Sequence, residues 1–278
     1  MVRSLNIKVE NKTIEVPLPA VMGILNITPD SFYDGGYYPA LADQLKHVER
    51  MLKEGAAIID IGAVSTRPGA KQVIEEGELA RLIPVLDAVK KEFPACVVSV
   101  DTYRSSVART AIEHGAEMIN DIYGGRFDGK MIATVVEKHV PIILMHMQGT
   151  PETMQADPHY EDVVKEVDEL FSNQVSLFPS GYPHILLDPG FGFGKTVEHN
   201  YQLLAHLDYF RKHGYPVVAG LSRKSMINVV LKTKPADALN GTTVLNTIAL
   251  LNGADILRVH DVMEAMDTLK LVEMIKQM

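Results

Sequence analysis

Residues Glu54-Gly55-Ala56-Ala57-Ile58-Ile59-Asp60-Ile61 decide the fold. Glycine ends a helix in the left-handed conformation, and an apolar run carrying one carboxylate follows at once. The same junction recurs as His114-Gly115-Ala116, leading into Glu117–Ile122, and as Asn252-Gly253-Ala254, leading into Asp255–His260. Two further runs, Pro141–His146 and Pro216–Leu221, are entered through proline, which cannot continue a helix. With Ala57–Ile61, the runs Val21–Ile27, Val97–Thr102 and His184–Asp188 complete a set of eight. Near-continuous apolar strands belong to a parallel sheet buried on both faces. The unit repeats about every 35 residues, long enough for a strand and its crossover helix. Eight such units predict an α/β chain folded as a (β/α)8 TIM barrel.

An open doubly wound sheet would show a glycine-rich turn after its first strand, whereas here that strand ends in Asn26-Ile27-Thr28-Pro29-Asp30. Ahead of it, Leu5, Ile7 and Val9 alternate with Asn6, Lys8 and Glu10, and Asn11-Lys12 turns the chain into Thr13–Val16. This pattern predicts a short N-terminal β-hairpin within residues 1–18, covering the N-terminal mouth of a barrel that spans 21–278 as one domain.

The 278 residues suit this fold, which typically takes about 250. A net charge of −8 argues against non-specific nucleic-acid binding, although local Arg and Lys can still set the field of one cleft. Cys96 is the sole cysteine and lies beside Val97-Val98, so it reads as an inert buried thiol in a reducing compartment. The first ten residues lack the apolar segment of a secretory signal, and no run reaches the roughly 18 apolar residues a bilayer span needs. The expected location is the cytoplasm.

Polar groups sit at or near the ends of the runs: Asn26, Asp60, Asp101, Asn120 with Asp121, His146, Asp188, Ser222, and Arg258 with His260. Any one of them is as easily a helix cap or turn former, but eight sets together indicate a ring around one mouth, where barrel enzymes gather their chemistry. Asp101, Asn120 and Asp188 offer acceptors suited to a flat heterocycle with adjacent N–H donors. Arg67, Lys224, Arg258 and His260 are donors suited to phosphate oxygens. Residues 28–36 and 64–69 read as covering loops. Asp188-Pro189-Gly190-Phe191-Gly192-Phe193-Gly194-Lys195 permits close backbone approach to a ligand. Lys224 as a Schiff-base nucleophile is disfavoured by its polar, cationic surroundings. A metal at His146, Asp157 and His159 is disfavoured by the lack of an i, i+4 pair. The absence of Trp argues against a glycosidase pair at Asp101 and Asp188.

In order along the chain, Met22-Gly23-Ile24-Leu25-Asn26-Ile27-Thr28-Pro29-Asp30-Ser31-Phe32, Ser65-Thr66-Arg67-Pro68-Gly69, Asp101-Thr102, Asn120-Asp121-Ile122, Leu144-Met145-His146, Asp188-Pro189-Gly190, Ser222-Arg223-Lys224-Ser225 and Arg258-Val259-His260-Asp261 resemble the dihydropteroate synthase family of pterin-binding barrels. The resemblance implies condensation of 6-hydroxymethyl-7,8-dihydropterin diphosphate with 4-aminobenzoate, giving 7,8-dihydropteroate and diphosphate for folate synthesis. It implies that Asp101, Asn120, Asp188 and Lys224 hold the pterin between Met145 and Phe193. Asn26, Arg258 and His260 would hold the diphosphate, Asn26 through Mg2+. Phe32, Thr66, Arg67, Pro68 and Ser225 would form the 4-aminobenzoate site, where sulfonamides would compete. Asp34 and Asp101 would steady a cationic methylene in an SN1-like path, with Lys224 the third residue of the catalytic set. The family often carries Gly-Gly-Glu before Ser-Thr-Arg-Pro-Gly, whereas Gly62-Ala63-Val64 stands here, which removes any acid acting at that point. A methyltransferase acting on a methylated folate would share the pterin residues without needing Ser65–Pro68 or Ser222–Ser225, and a non-catalytic pterin binder would not need the cations. The apolar run Val244–Leu251 is a candidate face for a homodimer.

Overall fold

The computed structural model describes residues 4–9, 12–27, 37–64 and 73–277. β1 (Ser4–Val9) and β2 (Lys12–Pro17) form the expected antiparallel hairpin, with Leu5 opposite Val16 and Ile7 opposite Ile14. Eight parallel strands follow: β3 (Ala20–Asn26), β4 (Ile58–Gly62), β5 (Val97–Asp101), β6 (Met118–Asp121), β7 (Ile142–Met145), β8 (Ile185–Asp188), β9 (Val218–Ala219) and β10 (Ile256–Val259). Their order is β8-β7-β6-β5-β4-β3-β10-β9. The ring closes where Leu187 bridges Val217 in parallel and donates its N–H to the Pro216 carbonyl at 2.9 Å. The chain is therefore a (β/α)8 barrel with an N-terminal hairpin. The three glycine junctions adopt the left-handed backbone their sequence implied, at φ 106° for Gly55, 97° for Gly115 and 92° for Gly253. No helix among the described residues is long and apolar enough to cross a membrane.

Side chains alternate across each strand, and this period of two divides the protein. Outward residues such as Ile59, Ile61, Val98, Val100, Leu187 and Leu257 pack on helices α1 (Tyr37–Glu54) to α9 (Val262–Lys276). Inward residues from all eight strands, Met22, Ile58, Val97, Met118, Ile143, Leu186, Val218 and Ile256, make a separate apolar cluster with Leu5, Ile7, Val16 and Leu18. The hairpin thus plugs the N-terminal mouth, as its alternation predicted. Two positions further along β4, β5, β6, β8 and β10, the same inward face turns polar, with Asp60, Ser99, Asn120, Asp188 and Arg258.

Candidate active site

Adding two to Ile58, Met118, Leu186 and Ile256 places Asp60, Asn120, Asp188 and Arg258 inside the barrel, one layer above the apolar plug. Asp101 and Asn26 lie a further step up, at the ends of β5 and β3. Asn26 Oδ1 and Asp101 Oδ2 each lie 3.7 Å from where a Cβ on Gly62 would sit, so three strand ends converge there. Asn26 itself is exposed.

Arg258 organises this layer. Its Nε donates to Asp60 Oδ2 at 2.7 Å and its NH2 to Asp101 Oδ2 at 3.0 Å, while Asn120 Nδ2 donates to the same Asp60 oxygen at 3.0 Å. Burial works against the Arg258 charge, but Asp60 and Asp101 outweigh it and hold its pKa above the ordinary value. Burial raises the Asp101 pKa, opposed by Arg258 and reinforced by Asp60. Arg258 keeps 20% of its side chain exposed, enough to meet a ligand above it. Asp60 is fully buried and was legible only as one polar strand residue among many. Its partner Arg258 lies 198 residues away, a contact that no local pattern signals.

Asp188 ends β8 facing Lys224 across Gly220. A Cβ on Gly220 would lie 3.7 Å from Lys224 Nζ and 3.9 Å from Asp188 Oδ2, so the absent side chain leaves both polar ends room. Asp188 Oδ1 accepts the Gly190 N–H at 2.7 Å. Burial raises the Asp188 pKa, opposed first by Lys224; burial lowers that of Lys224 to about 8, opposed by Asp188. Lys224 Nζ also donates to the Phe191 carbonyl and lies 4.9 Å from the centre of the Phe193 ring. Phe193 and Met145 join one apolar cluster with Ile122, Met147 and Met154, which walls the acceptors on one side. The result is a slot with acceptor groups at depth, apolar walls and one amine.

The cations of Ser222-Arg223-Lys224-Ser225 have separate tasks. Arg223 takes both carboxylate oxygens of Asp261, at 2.8 and 2.9 Å, and the carbonyls of Pro235 and Ala236, so it ties two loops together. Ser222 Oγ lies 3.0 Å from His260 Nδ1 and accepts the His260 N–H at 3.2 Å, which fixes that imidazole at the rim. Ser225 is the exposed first residue of α7 (Ser225–Leu231). Phe32, Asp34, Thr66, Arg67 and Pro68 lie outside the described residues. Just before the second loop, Ala63 is buried and Val64 half-buried. Lys195 is a buried amine inside the glycine-rich loop whose role the motif alone does not disclose.

Among the described residues no three His, Cys, Asp or Glu side chains gather into an ion cage. Asn26 instead offers a single amide oxygen at the mouth, converging with Asp101 Oδ2 over Gly62. That donor set fits Mg2+, which takes one or two protein oxygens and fills its octahedron with phosphate oxygens and water.

Residues 22–260 match the family described as pterin binding enzyme. The chain is 48% identical over 230 residues to the dihydropteroate synthase of Haemophilus influenzae, covering 82% of each protein. Its fold is similar to that of Yersinia pestis dihydropteroate synthase in a sulfonamide drug complex, with a TM-score of 0.90 and 40% identity over 99% of this chain and 100% of that one. It is also similar to the Xanthomonas albilineans dihydropteroate synthase with 4-aminobenzoic acid, at a TM-score of 0.89 and 38% identity over 99% and 100%.

Proposed function

The chain belongs to the pterin binding enzyme family, and from that premise we propose how its barrel mouth works as a site for dihydropteroate synthase activity. This activity joins 6-hydroxymethyl-7,8-dihydropterin diphosphate to 4-aminobenzoate and releases diphosphate. The observation that carries the site assignment is the acceptor set of buried Asn120 and Asp188 with half-buried Asp101, closed by Lys224 and lying beside Arg258. A pterin presents a ring amide N–H and an exocyclic amine on one edge, and the carboxylate of Asp188 accepts from both. Lys224 donates to the ring's acceptors, while Met145 and Phe193 face its planes.

The diphosphate lies toward Asn26, Arg258 and His260. Asn26 would hold Mg2+, which would supply positive charge for the phosphate oxygens. The methylene C–O bond breaks, its electron pair leaving with diphosphate, and the remaining cation is delocalised into the pterin, with the carboxylate of Asp101 to steady it and, as the family resemblance implies, that of Asp34. The amine nitrogen of 4-aminobenzoate, for which Phe32, Thr66, Arg67, Pro68 and Ser225 would form the site, makes the new C–N bond and gives its proton to water or the released diphosphate. No enzyme nucleophile takes part. The test is diphosphate release from purified protein with Mg2+, with and without 4-aminobenzoate, beside chromatographic detection of dihydropteroate. Slow release without amine supports the stepwise path, and strict dependence on amine counts against it. Pterin binding without product would favour a methyltransferase or a binding module.

Lys224 gives a pH prediction. With its pKa lowered to about 8, the ammonium is present below that pH and lost above it. We expect kcat/KM for the pterin diphosphate to fall on the alkaline side with an apparent pKa near 8. In Lys224→Arg, which keeps its proton, the limb should leave the accessible range. An alkaline limb unchanged in Lys224→Arg would assign it to another group.

We also propose that a second copy of the chain covers the exposed apolar face of α7, α8 (Leu239–Leu251) and α9. Val244, Ile248 and Leu251 are exposed at one helical spacing, next to Val229, Val230 and Leu231. Two like faces related by a twofold axis would bury one another. Sedimentation should give a dimer that Ile248→Asp dissociates; a monomeric parent protein would refute this.

A further inference from the structure

The glycine-rich loop after β8 has no ladder of its own: Tyr160 donates to the Gly194 carbonyl, Asn200 accepts the Gly192 N–H, Gln155 donates to the Gly192 carbonyl, and two lysines hold its remaining inward carbonyls. Lys224 takes the Phe191 carbonyl from the pocket side. Lys195 folds back beneath, 3% exposed, with Nζ 2.9 Å from the Gly190 carbonyl, 3.0 Å from the Phe193 carbonyl and 2.9 Å from His146 Nδ1. The His146 carbonyl lies 3.4 Å away. A charged amine donates to all three close acceptors, whereas a neutral one donates to the two carbonyls and accepts from the ring. In both states the loop carbonyls are held.

The loop backbone rests directly on the end of β7. A Cβ on Gly190, whose φ is 71°, would fall 1.9 Å from the His146 carbonyl oxygen, and one on Gly194 2.6 Å from that of Gln148. The same Gly190 peptide region gives its N–H to Asp188 and its carbonyl to Lys195. Without the amine the Gly190 carbonyl keeps only the Phe193 N–H, at 3.0 Å, and the Phe193 carbonyl loses the Lys195 donor. A buried carbonyl short of donors is costly, so loss of the amine would push this segment toward another conformation. Such a shift would move the Phe193 ring and the carbonyl that steers Lys224.

We propose that Lys195, seated against His146, is a positioning residue for the pterin pocket: it stays away from substrate and fixes the loop that carries Phe193, steers Lys224 through the Phe191 carbonyl and bonds Asp188 through the Gly190 N–H. This inference rests on the reading of those three residues as pterin contacts. Initial rates with each substrate varied in turn test it in Lys195→Met. The KM for the pterin diphosphate should rise about tenfold or more, while that for 4-aminobenzoate changes by less than about twofold. His146→Leu removes one acceptor and leaves both loop carbonyls held, so it should give a smaller rise of the same selectivity. Equal changes in both KM values, or no change in Lys195→Met, overturn the proposal. Insolubility of both variants also overturns it and assigns the pair to folding. Phe193→Ala and Lys224→Gln, measured in parallel, separate two kinds of failure. If they raise the pterin KM and Lys195→Met does not, only the role of Lys195 falls; if none does, the pocket assignment falls with it.

Discussion

Replacing Asp188 by asparagine is expected to lower kcat/KM for the pterin diphosphate by a factor of about 1,000, with little change in the KM for 4-aminobenzoate. The carboxylate closes β8 inside the barrel, and its Oδ1 is already committed to the Gly190 N–H. Hydrogen bonds to a charged group are worth about 1.5–3 kcal/mol each, and the pterin edge offers two donors. Asparagine keeps one acceptor and sets an amide N–H against the other donor. It also leaves Lys224 and Lys195 without the anion that opposes the effect of burial on both. A loss of about 4 kcal/mol in transition-state binding corresponds to that factor. Kinetics with both substrates varied read it directly. A loss below tenfold would remove Asp188 from the pocket, and a matching rise in the amine KM would mean a general disturbance.

Arg258→Met should show two effects that separate on measurement. Activity should fall by about 100-fold or more, since the diphosphate loses a fixed cation. Stability should fall too, because Asp60 and Asp101 are left facing each other. Removing one partner of a buried ion pair costs about 3–5 kcal/mol, here discounted toward the lower figure because Arg258 is 20% exposed. Adding Asp60→Asn removes one stranded charge and should recover part of the stability with none of the activity. Thermal unfolding and steady-state rates of the two variants decide it. An unchanged Tm in Arg258→Met would show that the carboxylates are relieved by water or protonation, so that Arg258 serves the ligand alone.

The barrel was legible because its signals are local. Glycine or proline at the strand entries and apolar runs between helices placed all eight strands, with ends shifted by a residue or two. β9 is reduced to Val218–Ala219, since Pro216 has no N–H to pair and only single residues there reach β8. The ring of polar strand ends was legible by the same logic only in part: Asn26, Asp60, Asp101, Asn120 and Arg258 converge, with Asp188 beside Lys224, whereas Asp121 shapes a turn by accepting the Tyr123 and Gly125 N–H groups and His146 lies against Lys195. What stayed hidden depends on contacts between distant segments. Asp60 looked equivalent to the other polar strand residues until Arg258 and Asn120 were seen to converge on one of its oxygens. Arg223 and Lys224 are neighbours with similar charge, yet Arg223 bonds Asp261 while Lys224 faces the slot. Lys195 ends a loop that reads as open and glycine-rich, and only the folded backbone shows the cage of acceptors around its amine.

The order of the strands bears on how the chain matures. β10 lies between β9 and β3, and it carries Arg258. Without it, the other seven strands would leave two bare edges, Asp60 and Asp101 would have no guanidinium, and two of the three diphosphate contacts, Arg258 and His260, would be missing. Competence to hold substrate therefore requires that β10 be in place between β9 and β3. Those unguarded edges invite pairing with other nascent chains until then, which makes ring closure the stage at which assistance from chaperones matters most.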